Sequence, residues 1–189
     1  MKKSLALLAA TTLAASALAF PAAAAPGKPG DMTIAEIATA NGSFTYLLTA
    51  LDVAGLTGAV DDSWDPKLTV FAPTDTAFET LAGGLGFGAH AAGVLAMVDF
   101  LDANDLLDDV LLYHVVDGRR FSNSVVNRNS DKTIETLSGE WFTATPSLHL
   151  IDAFGGTDVM ITLPNLNASN GVIHVIDNVL VPQAVVNAL

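Results

Sequence analysis

Four histidines, at 90, 114, 149 and 174, are the side chains of this chain best placed to move protons near neutral pH. Two of them lie inside apolar runs, Leu111-Leu112-Tyr113-His114-Val115-Val116 and Gly171-Val172-Ile173-His174-Val175-Ile176. Acyl-transfer chemistry would pair such a histidine with a serine in a G-x-S-x-G turn or with a thiol. No such serine turn occurs and there is no cysteine, so no catalytic residue is expected. A histidine held among aliphatic side chains is expected instead to be buried and hydrogen-bonded, tying strands together. None of the four has a partner at H-x-x-x-H spacing, so no structural zinc, and no cofactor, is expected.

Carboxylates also cluster. Asp99, Asp102, Asp105 and Asp108 recur every third residue with Asp109 beside them, and Asp61, Asp62 and Asp65 form a second group. Hard cations such as calcium favour clustered oxygens. Neither group has the alternating ligands, glycine and distal glutamate of an EF-hand loop, so both read as solvated surface and helix caps. Gly83 to Gly88 lacks the G-x-G-x-x-G spacing of a phosphate loop and follows a helical stretch, so it reads as a connector. Asn41-Gly42-Ser43 and Asn167-Ala168-Ser169 match the glycan acceptor pattern and read as chance beside a leader of bacterial style. Trp64 and Trp141 are large enough to anchor a partner, but packing in the core or half-core is the expectation for both.

These residues must be positioned by elements that the pattern of apolar residues outlines. Residues 1–24 read as a secretory signal peptide. Lys2 and Lys3 precede an apolar stretch from Leu5 to Phe20, and alanines at 22–25 supply the cleavage site. Residues 25–32 form a flexible lead-in. Thr33 and Glu36 make a capping box for a first helix that Asn41-Gly42 stops, and Phe44, Leu47, Leu48 and Leu51 continue as a second. A short strand is expected at 68–72, a helix after Asp75, and helices at 91–101 and 105–112. Strands are expected at 113–117, 131–137, 140–146, 148–152, 158–163, 171–177 and 179–181, with turns at Ser138-Gly139 and Gly155-Gly156. Val172, His174 and Ile176 should face one way, and Ile173, Val175 and Asp177 the other. Helices first and strands after argue for one α+β domain over 33–183 with a tail at 184–189.

Composition narrows the partners. The formal charge is −12, and removing residues 1–24, which carry two of the eight basic and none of the twenty acidic residues, lowers it to −14. Such a surface repels phosphate backbones and anionic membranes, so neither nucleic acid nor membrane insertion is expected. Without cysteine, an exported chain must be stable through its core alone.

Three segments, in this order, carry a resemblance: Thr69-Val70-Phe71-Ala72-Pro73-Thr74-Asp75-Thr76-Ala77-Phe78, Tyr113-His114-Val115-Val116, and Asn170-Gly171-Val172-Ile173-His174-Val175-Ile176-Asp177-Asn178-Val179-Leu180. Together they resemble the boxes of the fasciclin-like (FAS1) family, in its single-domain secreted bacterial form. The resemblance implies a β-sandwich or wedge with N-terminal and inserted helices packed on it. It also implies a secreted or periplasmic, non-enzymatic role in cell adhesion or matrix contact, with a protein or polysaccharide partner, as a monomer or weak homo-oligomer. Tyr113 and His114 match the family's adhesive motif. Asn165 and Leu166, after Pro164, match an Asp-Ile pair linked to receptor contact in some animal members; here the acidic residue is lost. An alternative is a carrier of a small apolar ligand or signalling partner, with a pocket lined by Phe87, Met97 and Phe100 under a mobile 84–101 segment.

Overall fold

The computed structural model describes residues 30–59, 67–155 and 159–188. The expected leader, most of the expected lead-in, Trp64 and the aspartates at 61, 62 and 65 lie outside the described residues. Helix α1 (Ile34–Asn41) begins as its capping box dictates: the Thr33 hydroxyl accepts from Glu36 N at 3.2 Å and Glu36 Oε2 accepts from Thr33 N at 2.9 Å. Helix α2 (Thr45–Val53) has no side-chain cap of its own. Asp75 Oδ1 supplies an acceptor from the next helix, taking the Tyr46 amide at 2.9 Å. Strand β1 (Leu68–Pro73), buried at every position, leads into α3 (Asp75–Gly84). Helix α3 absorbs the start of the expected glycine connector. His90 caps α4 (Ala91–Ala103), its Nδ1 accepting from Gly93 N at 3.0 Å. Gly93 is obligatory, because a Cβ there would meet the Gly88 carbonyl oxygen at 2.0 Å.

The expected strand at 113–117 is shorter. Helix α5 (Leu107–Tyr113) runs through Tyr113, His114 is its C-cap, and only Val115–Asp117 forms β2. The cause is local: the His114 ring bonds the Val110 carbonyl four residues back, which secures the helix end. A short helix α6 (Ser122–Val125) was not expected. Strands β3 (Lys132–Glu135), β4 (Trp141–Ala144) and β5 (His149–Ile151) fall within the expected runs. Strand β6 (Val159–Ala168) runs five residues past its expected end, because the ladder skips over Pro164 and Asn165 in a bulge and resumes at Leu166. Strand β7 (Gly171–Ile176) is buried throughout. Residues 179–181 are not a strand, since Leu180 N and Val181 N donate to the side chains of His114 and Asp152. The expected tail is helix α7 (Gln183–Ala188), with Val185 buried.

The seven strands lie in the order β2-β1-β7-β6-β5-β4-β3, and only β1 and β7 are parallel. Leu137 N donates to Val115 O at 2.8 Å, so the chain after β3 returns to β2 and the sheet nearly closes on itself. Two cores result. Phe71, Tyr113, Val125, Ile134, Phe142, Leu150, Val159, Ile161, Ile176 and Leu180 fill the inside of the wedge. Val70, Ala72, Ile173 and Val175 face the opposite way and pack under α1–α5, as alternation in β7 requires. Each fully buried large apolar side chain contributes about 1.5–3 kcal/mol.

Of the three residues expected to line a ligand pocket, Met97 belongs to the core, Phe87 is half-buried and Phe100 is exposed. Met97 is 1 % exposed within the helical core, and the Phe87 and Phe100 rings sit 5.6 Å apart. The apolar gap between α1, α2, β1 and β7 measures only about 20 Å3, space for one water at most. None of Phe87, Met97 and Phe100 lines that gap.

Candidate functional site

Tyr113 and His114 are inside the molecule. Tyr113 is 0 % and His114 3 % exposed. The Leu180 amide, which can only donate, meets His114 Nε2 at 2.9 Å, so the ring proton sits on Nδ1 and is donated to Val110 O at 2.7 Å. Burial holds this imidazole neutral, lowering its pKa to about 4. The Tyr113 hydroxyl donates to Trp141 O at 3.0 Å, and its ring meets Phe142 edge-on at 6.1 Å. Burial, with the charges of Asp152 and Glu140, pushes that hydroxyl up from the ordinary phenol range. Neither residue can touch a partner directly; both hold the α5–β2 junction against the wedge.

His174 makes the mirror choice. Asn165 N donates to its Nδ1 at 3.3 Å, so Nε2 carries the proton and donates to Arg120 O at 2.8 Å. The ring stacks on Phe71 with centroids 5.3 Å apart, directly opposite it in the β1–β7 register, and burial lowers its pKa. Both histidines thus spend both ring nitrogens on the backbone. Asp152, which sequence reasoning passed over, is a third internal tie. Its Oδ2 accepts from Val181 N at 2.8 Å and its Oδ1 from Gly155 N at 3.3 Å, and burial raises its pKa.

Asn165 and Leu166 lie at the β6 bulge. Asn165 is exposed, with a left-handed φ of 66°. Its side chain is committed to Ser122: Oδ1 accepts from Ser122 N at 2.7 Å, and Nδ2 donates to Ser122 Oγ at 2.9 Å. Leu166 is half-buried against the helical core. Arg119 fastens the strand end beyond, donating to Asn167 Oδ1, Ala168 O and Ser169 O at 2.8–3.1 Å. The bulge is tied on both sides, its Asn165 side chain to Ser122 and its Asn165 amide to the buried His174 ring. Asp99, Asp102, Asp105 and Asp108 are exposed and Asp109 half-buried, and no group of acidic residues and histidines fit to hold a metal ion occurs among the described residues.

The unexpected surface is the outer face of β4 and β5. Trp141 is 67 % exposed, Ile151 49 % and Met160 39 %. Cross-strand pairing places them on one face: Thr143 opposes Ile151, His149 opposes Met160, and Glu135 opposes Trp141. A groove of about 450 Å3 opens there, lined by Glu140, Trp141, Thr143, Ile151, Asp152, Ala153 and Gln183. Trp141, expected in the core or half-core, stands outward instead, because alternation in β4 turns its neighbour Phe142 into the wedge. A second, more open and polar recess lies under α6, between Asn127, Arg128, Lys132 and Leu148.

Known proteins match this architecture. A model of the fasciclin domain matches residues 42–182. Two proteins of the cyanobacterium Synechocystis are 33 % and 34 % identical over 151 and 148 residues, covering 80 % and 78 % of this chain and 74 % and 96 % of their own. Human Stabilin-1 is 26 % identical over 165 residues, 86 % of this chain but 6 % of its own length. The fold is similar to that of a FAS1 domain pair from the insect cell adhesion molecule Fasciclin I, with a TM-score of 0.63 at 14 % identity, over 81 % of this chain and 52 % of the pair. The chain belongs to the fasciclin domain family.

Proposed function

We propose that this chain is an exported, non-enzymatic interaction module that binds a protein or polysaccharide on a cell surface or in an extracellular matrix. The observation that carries the reading is the contrast between a consumed interior and an open outer face. His114, His174 and the buried Asp152 are already bonded to backbone groups, while Trp141 and Ile151 stand in solvent beside a groove. Exposed apolar surface of this kind, led by a tryptophan, marks partner contact. The held bulge at Asn165 and Leu166 is a second contact position in this reading. The neutral Asn165 directs it away from receptors that seek a carboxylate for a bound metal. Export rests on the leader at residues 1–24. No helix among the described residues is long and apolar enough to cross a membrane.

The test is capture of residues 25–189 on cell-surface and secreted extracts, with and without calcium. A saturable partner is expected, and its capture should fall at least tenfold in a Trp141→Ala variant. A folded protein that captures nothing under any of these conditions would overturn the reading.

A further inference from the structure

We propose that the groove at Trp141 seats a cationic side chain, an arginine or lysine carried by a partner protein. This rests on the interaction-module reading and names the chemistry of its occupant. The indole stands almost free on the sheet face, with its cross-strand neighbour Glu135 also exposed. Glu140 lines the same groove, its Oε2 accepting from Gln183 N at 2.8 Å. Asp152 lies at its floor, and no lysine or arginine is among the lining residues. The one lysine of this hairpin lies at its other end, where Lys132 opposes Ala144, while Glu135 opposes Trp141. His149, opposite Met160, is the one other titratable group facing outward from β5.

Three properties of the groove then select the ligand. A cation over the face of an indole is attracted by the ring quadrupole, more strongly for tryptophan than for other aromatics. Glu135 and Glu140 flank that position and would complete charge-assisted hydrogen bonds. Ile151 and Thr143, on the same face, offer a surface for the aliphatic stem that a lysine or arginine lays down behind its charge. A purely apolar partner would strip water from two carboxylates without pairing them, and an anionic polymer would be repelled by them and by the charge of −12.

The test uses two blocked peptides, one alternating leucine and arginine, the other with each arginine replaced by uncharged citrulline. They are titrated into the isotopically labelled protein, and the Trp141 indole N–H signal, assigned with a Trp141→Phe variant, is followed. The arginine peptide is expected to move that signal saturably, with affinity at least about tenfold above the citrulline peptide. The double variant Glu135→Gln with Glu140→Gln should shrink the difference, leaving the part owed to the indole, with the melting temperature unchanged. Equal binding of the two peptides, or no response to either, overturns the cation seat. Movement of the signal with protein concentration alone would assign the groove to a second copy and also overturn it. All three outcomes leave the interaction-module reading to stand or fall on capture from extracts.

Discussion

Tyr113 and Trp141 are joined by one hydrogen bond, hydroxyl to carbonyl at 3.0 Å, and differ in nearly everything else. Tyr113 is 0 % exposed, its ring fixed against Phe142 and its hydroxyl spoken for; Trp141 is 67 % exposed on the other side of the same strand. The wall between them is one strand thick. On its inner side the aromatic and imidazole groups answer to backbone partners far away in sequence: His114 to Leu180, His174 to Arg120, Asp152 to Val181. On its outer side the indole answers to nothing that holds the fold. Changes on the inner side should therefore cost stability, and changes on the outer side should cost binding. The residues of the family motif belong to the first class.

The largest effect that sharpens this contrast is expected from His114→Ala. It leaves the Leu180 amide and the Val110 carbonyl without their partner in a dry interior and opens a cavity, for a loss of about 4 kcal/mol in urea unfolding. A loss below about 1 kcal/mol would break the comparison. Next is the bulge. Asn165→Ala removes both bonds to Ser122 and places a Cβ-bearing residue without a local polar group at φ 66°, for about 2 kcal/mol. Asn165→Gly tolerates the same φ and should recover about 1 kcal/mol of it, separating strain from bonding. Tyr113→Phe removes only a hydroxyl and should cost about 1 kcal/mol, with no change in partner capture. Trp141→Ala should change the unfolding free energy by less than about 0.5 kcal/mol while lowering capture at least tenfold. Reversal of these last two, with capture lost in Tyr113→Phe and kept in Trp141→Ala, would exchange the roles of the two faces.

Much of the fold can be read from local rules. Thr33 and Glu36 announce α1, and the alternation through Val172, His174 and Ile176 places His174 on the inner face of β7 without reference to any neighbour. Two of the elements that escaped depend on contacts from far along the chain, and a third on a bond within one helical turn. Leu180 and Val181 look like strand residues, but their amides are taken by His114 and Asp152. Pro164 looks like a strand end, yet the ladder resumes behind it because the bulge is clamped by Ser122. Tyr113 and His114 look like strand, but a ring-to-carbonyl bond keeps them in the last turn of α5. Trp141 escaped for a different reason: hydrophobicity argues for burial, and only the assembled sheet shows the indole 67 % exposed on its outer face.

Titration of His114 tests the division between an internal tie and a working surface most directly. Its folded pKa of about 4 lies below the ordinary 6.5, so the ring contributes its full stability above pH 6.5 and loses it as the pH falls from 6.5 towards 4, up to about 3 kcal/mol. His174, also lowered, acts in the same direction. Asp152, whose pKa is raised, acts in the opposite one, its contribution present at low pH and lost as the pH rises. The measurement is the imidazole nitrogen shifts of His114 followed by NMR from pH 8 to pH 4.5. The ring is expected to stay neutral, with its proton on Nδ1, to below about pH 5. An imidazole that titrates near pH 6.5, with fast exchange at both nitrogens, would contradict the burial of the Tyr113–His114 motif and return it to the surface as a contact site.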